Sequence, residues 1–244
     1  MDNGAIAFLD ILGFKGIWQK ESPEKVLSIM TGITELIQKS YKKPPPEKGY
    51  GELENPFVTI LSDTIVLGYK SVESPSCMLP LGNIIYQLVH YFLKFDMFFR
   101  GAMTYGQYIQ EGNTFIGPAI DDVAKWYEMG DWIGILTTPK CNYLIDYFAH
   151  LKTDVNSISV QTFVKYDVPG KNKETYRLNV LNWPGYLQAS HNRIPEKNSK
   201  SEVRKLIEQK FGLQAAFDAS VLRKYENTLK FIDFCVDGLN STRA

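Results

Sequence analysis

The chain carries no surplus charge of either sign, since 27 lysines and arginines balance 27 aspartates and glutamates. That balance removes any global electrostatic case for duplex DNA or an anionic membrane as the main partner, so neither is expected. Cysteine is scarce and odd in number, with Cys77, Cys141 and Cys235 far apart. This argues against a disulfide framework and a zinc ribbon, and for reduced thiols in a cytoplasmic protein. Histidine is as sparse: His90, His150 and His191 show no HxxxH or HExxH spacing, which argues against a histidine-based metal site. Apolar runs stop well short of the ~20 residues that a membrane span needs. The opening MDNGAIAF lacks the basic start and small-residue cleavage site of a signal peptide.

What the chain does have is a carboxylate where apolar residues belong. Asp10 sits in AIAFLDILGF, and Asp63 ends a second apolar strand in PFVTILSDTIVLGY. A carboxylate flanked by Ala, Ile, Phe and Leu costs a large desolvation free energy unless it is partnered. Two of them at strand ends make a site for a divalent cation that holds a triphosphate, which points to chemistry on nucleotides. The plainer readings are a structural carboxylate bonded to backbone for Asp10 and an ordinary hairpin residue for Asp63.

At 244 residues the chain can form one large domain, or a domain with a substantial extension. Residues 5–11 read as a buried strand. Ser22-Pro23-Glu24 is a helix start, with a hydroxyl cap, proline at the first helical position and acid in the first turn. Residues 42–56, rich in proline and charge, read as a polar loop. Residues 57–61 and 65–69 form a hairpin around Ser62-Asp63-Thr64, and Pro80 starts a second helix. A strand over 98–109 turns through 110–113 into 114–116, Gly117-Pro118 opens a third helix, and 134–137 is a short strand before a helix around 143–150. The expected architecture is α+β, a sheet with helices mainly on one face. From residue 151 the character changes: strands over 157–167 and 175–183, then helices near 201–210 and over 215–236. The expected division is a core over 1–150 and an extension over 151–244 that packs on the core or at a dimer interface.

Three segments together, FLDILGFKG (8–16), LSDTIVLGY (61–69) and RGAMTYGQYIQEGNTFIGPAIDDVAKWYE (100–128), resemble the class III nucleotidyl cyclase catalytic domain. A narrower similarity is to the bacterial pyrimidine cyclases of anti-phage systems. It rests on the FLDILGF start, the SD-x-I-V-L hairpin, the R-G-x-x-x-x-G strand leading to GPA, and a tail with Asn182-Trp183-Pro184 and Lys224-Tyr225-Glu226-Asn227-Thr228. The resemblance implies a ferredoxin-like core with a mixed, mainly antiparallel sheet, and a C-terminal strand and helix extension.

The same resemblance implies site roles. Asp10, Asp63 and the backbone carbonyl of Ile11 would bind two divalent ions, Mn²⁺ or Mg²⁺. Leu12-Gly13-Phe14-Lys15 would present backbone N–H groups to the β- and γ-phosphates, with Gly13 allowing close approach. Asp121 and Lys125 stand where the family has Asn and Arg. Their four-residue spacing puts both on one helix face, although lysine offers a point charge where arginine offers a fork. Arg100 would take over phosphate contacts. Thr59 and Thr114 fall at the base-reading positions, where two small hydroxyls suit the edge of uracil or cytosine. Tyr50 would cover the base.

In this family the metal aspartates come from one subunit and the helix residues from the other, which implies a head-to-tail homodimer with two symmetric sites. The expected activity is conversion of UTP into cyclic UMP and pyrophosphate, a second messenger read by a separate effector in anti-phage defence. The alternatives are a cytidylate cyclase acting on CTP, a catalytically silent nucleotide sensor, and a pure interaction protein.

Overall fold

A computed structural model of the chain describes residues 1–40, 56–70, 77–151, 162–191, 200–215 and 219–241. The first half runs β1 (Asp2–Leu12), a short 3-10 helix (Phe14–Gln19), α1 (Pro23–Ser40), β2 (Phe57–Leu61), β3 (Thr64–Lys70), α2 (Met78–Leu93) and β4 (Phe98–Glu111). Then follow β5 (Thr114–Ile116), α3 (Pro118–Trp126), β6 (Ile135–Thr137) and α4 (Pro139–Leu151). The remainder is β7 (Phe163–Pro169), β8 (Thr175–Leu181), α5 (Trp183–His191), α6 (Lys200–Ala215) and α7 (Ala219–Ser241). The loop expected over 42–56 falls almost wholly outside the described residues, as does the start of the strand expected at 157.

The strands lie in the order β2-β3-β1-β4-β6-β8-β7, with β5 paired to β4 beside that path. The first four strands are antiparallel in the order 2-3-1-4, the βαββαβ arrangement of ferredoxin-like folds. β4 and β6 pair in parallel, and β6–β8 and β7–β8 are antiparallel, so the sheet is mixed and mainly antiparallel. β7 and β8 thus continue the sheet that β1–β4 begin.

Helices cover both sheet faces, not mainly one. The register Ile11↔Phe99 places those side chains on one face, where Phe99 meets Phe92 of α2 at 5.5 Å between ring centroids. α1 lies beside α2 there, joined by the Tyr91 hydroxyl donating to the Ile29 carbonyl at 2.9 Å. The alternate row, Ile6↔Thr104 and Phe8↔Ala102, points the other way, towards α3. There the Thr104 hydroxyl donates to the Asp122 carboxylate at 2.7 Å, and Phe8 meets Tyr127 edge to face. Both β1 and β4 are buried centrally, so each of their faces needs a cover.

A second difference is at Asn182. The strand expected over 175–183 stops at Leu181, and Trp183 opens α5 instead. The Asn182 side-chain oxygen accepts from the Gly185 N–H at 3.0 Å, as an N-cap does. Pro184 in the first turn loses no helical bond there. Trp183 is also fully buried, and its indole N–H donates to the Ile133 carbonyl at 3.2 Å. No described helix is long and apolar enough to cross a membrane.

Candidate active site at the ends of three strands

β1, β3 and β4 place three residues in one row: Asp10 is registered against Thr64 on one side and Arg100 on the other. Alternation along β1 puts the Asp10 side chain on the α3 face, two residues beyond Phe8. Arg100 donates from Nε at 2.9 Å and pairs from Nη2 at 2.8 Å, both on Asp10 Oδ2. Its remaining contacts are Nη1 to the Gly130 carbonyl at 3.3 Å and Nη2 to Glu128 at 3.6 Å. The pair is largely sheltered, with the Arg100 side chain 8% exposed and that of Asp10 15%.

The β2–β3 hairpin brings the second carboxylate. Ser62 adopts a left-handed φ of 56° at the tip, and the Asp63 carbonyl accepts from the Ile11 N–H at 2.8 Å. This bond ties the hairpin tip to the end of β1. Asp10 and Asp63 are close enough for their charges to interact. Burial is the chief cause holding the Asp10 carboxyl above its ordinary value of 3.8. Arg100 opposes the rise, while the negative charges of Glu128 and Asp63 add to it.

Glu128 and Tyr127 complete the cluster from just beyond α3. Lys171, on the β7–β8 turn, donates to Glu128 at 3.1 Å and so holds its carboxyl below the usual range. Tyr127 is pushed up to about 12, first by burial, then by its hydrogen bond to Glu128 and the charges of Glu128, Asp10 and Asp63. The phenol therefore stays neutral across the working range of pH. No sequence motif marks Glu128 or Lys171. The local signal for the first is an acidic residue directly after Trp126-Tyr127 at the end of α3; the second needs the fold.

Leu12 ends β1 and leads into Gly13, whose φ of 76° caps the 3-10 helix. Nothing lies within 4 Å of a Cβ built there, so glycine is required by conformation and not by crowding. Phe14 turns inward, 7% exposed, against Trp18, which is 56% exposed. The backbone of Lys15 lies in the same 3-10 helix. Tyr50 lies outside the described residues.

Thr59 is half-buried on β2 and shares a row with Val66 and Phe8 on the Asp10 face, one row back from the site. Thr114 is exposed on β5. Phe57 stacks on Phe115 at 5.1 Å, which brings β2 and β5 into one neighbourhood. Asp121 and Lys125 are exposed on α3 and contact neither each other nor Asp10, Asp63 or Arg100 among the described residues. The inward residue of that turn is Asp122, which accepts from Thr104 and from Thr138, the latter at 2.6 Å. The structure therefore unites Asp10, Asp63 and Arg100 and leaves Asp121 and Lys125 facing outward.

Two carboxylates and nearby backbone oxygens form a hard donor set. Among the described residues no group of three or more His, Cys, Asp or Glu side chains could hold a metal alone. Carboxylate oxygens such as those of Asp10 and Asp63 are hard donors, of the kind that suits a hard divalent cation over a soft one. Arg100 contacts only Oδ2 of Asp10, so Oδ1 has no hydrogen-bond partner among the described residues.

No protein-family model matches the chain, and no curated protein matches it. Among solved structures, it is similar to the adenylyl cyclase CyaB from P. aeruginosa, at 12% identity over 74% of this chain and 94% of that one, with a TM-score of 0.46. It is similar to the catalytic core of a rhodopsin-guanylyl cyclase with converted specificity, at 11% identity over 74% and 94%, TM-score 0.46. It is also similar to a bacterial light-regulated adenylyl cyclase, at 13% identity over 86% and 98%, TM-score 0.44.

Proposed function

We propose that the protein is a nucleotidyl cyclase of pyrimidine specificity, which converts UTP into cyclic UMP and pyrophosphate. The observation that supports the cyclase reading is the convergence of Asp10 and Asp63 at adjacent strand ends beside Arg100, while the pyrimidine preference rests on the sequence resemblance. In the proposed reaction the ribose 3′-oxygen bonds to the α-phosphorus as its hydroxyl proton leaves. The bond from the α-phosphorus to the oxygen bridging to the β-phosphate breaks, and pyrophosphate departs.

Asp10, Asp63 and the Ile11 carbonyl would hold two divalent ions, which when bound would lower the pKa of the 3′-hydroxyl and neutralise the triphosphate. Arg100 would offer its guanidinium to the phosphates, and Leu12, Gly13, Phe14 and Lys15 would surround their far end. Thr59 and Thr114 would read the base edge, with Tyr50 over it. Asp121 and Lys125 would act across a head-to-tail homodimer, which accounts for their facing outward in one protomer. We place the catalytic core in 1–150 and a supporting extension in 151–244. The resemblance in the tail supports a cytoplasmic role in anti-phage signalling through a separate effector that responds to the cyclic nucleotide.

A silent nucleotide sensor is the second reading, favoured by an Asp and a Lys at positions 121 and 125 where the family has Asn and Arg. The purified protein should be incubated with each of the four nucleoside triphosphates and Mn²⁺. Cyclic UMP as main product supports the proposal, and cyclic CMP would make the enzyme a cytidylate cyclase. Cyclic AMP or cyclic GMP as main product would sink the pyrimidine assignment, and binding without turnover would favour the sensor.

A further inference from the structure

Two of the three partners of Arg100, Glu128 and the Gly130 carbonyl, lie in the segment that follows α3. That segment is held from the second half of the chain. The Asp131 N–H donates to the Pro169 carbonyl at 2.8 Å, and the Lys171 N–H donates to the Met129 carbonyl at 2.9 Å. Gly130 forms an isolated bridge with Gly170. On the other side stands α7: the Asn227 amide donates to the Asp131 carbonyl at 2.9 Å, and the Ile133 N–H donates to the Thr228 hydroxyl at 2.9 Å. Arg223 pairs with the carboxylate of Asp131, a residue only 2% exposed. Asn227 and Thr228 are the last two residues of the KYENT run, whose placement the sequence alone does not explain.

We propose that Asn227 and Thr228, with Arg223 and Lys171, are positioning residues that fix Arg100 against Asp10 by clamping residues 128–133. The clamp touches backbone where the Arg100 contacts are also backbone or Glu128, so displacement of α7 moves the acceptors of the guanidinium directly. This inference rests on the reading of Arg100 as the phosphate-binding cation only for its effect on turnover. Its structural half stands without that reading.

The test uses the full chain labelled with ¹⁵N at arginine. The Arg100 Nε–H signal is assigned by its loss in Arg100→Lys, and Arg204, bonded to Glu208 and Asp233 elsewhere, serves as internal control. In Asn227→Ala the Arg100 Nε–H should exchange with water about ten-fold faster, within the range reached by coupling through packed contacts. Arg204 should not change, and neither should Arg100 in the control Glu226→Ala. With UTP and Mn²⁺, kcat should fall by a similar factor while KM changes little. If Asn227→Ala does not fold, Lys171→Ala at the exposed turn replaces it with the same expectation. Unchanged Arg100 exchange in a folded variant overturns the clamp. Faster exchange in a protein that cyclises no nucleotide would leave the clamp standing and remove the enzymatic reading instead.

Discussion

Arg100 places two nitrogens on a single oxygen of Asp10, Nε at 2.9 Å and Nη2 at 2.8 Å from Oδ2. The pair is sheltered, so removing one partner strands a charge that has little access to water. Arg100→Ala should therefore destabilise the fold by about 3 kcal/mol. Arg100→Lys should recover part of that, because a point charge still reaches the carboxylate but cannot make both bonds. Urea denaturation of the two variants against the parent measures the difference; equal stability of all three would remove the pair as a structural element.

Asp63 separates function from stability. Its backbone oxygen binds Ile11, whereas its side chain makes no hydrogen bond among the described residues. Asp63→Ala should change stability by no more than about 0.5 kcal/mol. The same variant should lose at least about 100-fold in cyclic nucleotide formation, the scale set by losing charge stabilisation at the phosphates. An active Asp63→Ala protein would exclude this carboxylate from the chemistry.

The raised pKa of Asp10 sets a pH signature. The folded protein binds this proton more tightly than the unfolded chain, whose value is near 3.8. Ionising Asp10 therefore subtracts stability; the penalty is absent below 3.8 and complete once pH has passed the higher folded value. A cation bound at Asp10 opposes the penalty where it is greatest. The rise in Tm on adding Mn²⁺ with UTP should thus be largest near neutral pH and shrink as pH falls through the Asp10 value. Asp10→Asn should abolish that rise at every pH, and a full rise in this variant would place the ion elsewhere.

The cap of α5 offers a test away from the site. Asn182→Ala should cost about 1 kcal/mol by freeing the Gly185 N–H, while Asn182→Asp should hold most of it. Thermal denaturation of both variants distinguishes a cap from a generic polar residue.

Much of this site is legible in the sequence because it depends on local pattern. Asp10 stands out as a charge inside an apolar strand, and Ser22-Pro23 and Ser62-Asp63 announce a helix start and a hairpin tip. The Asp10–Arg100 pair is different, since it depends on the cross-strand register of β1 and β4, which no local window contains. Glu128 and Lys171 escape for the same reason: they meet across two turns distant in sequence. Asn182-Trp183-Pro184 holds a readable cap signal, but the β-favouring residues before it draw the strand assignment two residues too far. α3 on the opposite sheet face follows from Phe8 and Thr104 needing cover, which becomes visible only once both flanking strands are placed.

β6 and β8 share one registered pair, Leu136↔Val180, whereas β1 and β4 stay in register from Asp2 to Leu12. The sheet therefore has a seam. On one side stands a long ladder of main-chain bonds; across the seam the union is that pair, the main-chain bonds of residues 129–131 to 169–171, and side-chain packing, with Trp132 against Tyr166 and Phe231. Such a boundary divides a protein into units that open at different free energies. The β7–β8 ribbon and α7 should exchange their amide hydrogens as one cooperative group, earlier than β1. A helix side chain thus shares in the durability of the joint, so that one truncation at Phe231 loosens a sheet to which it contributes no strand.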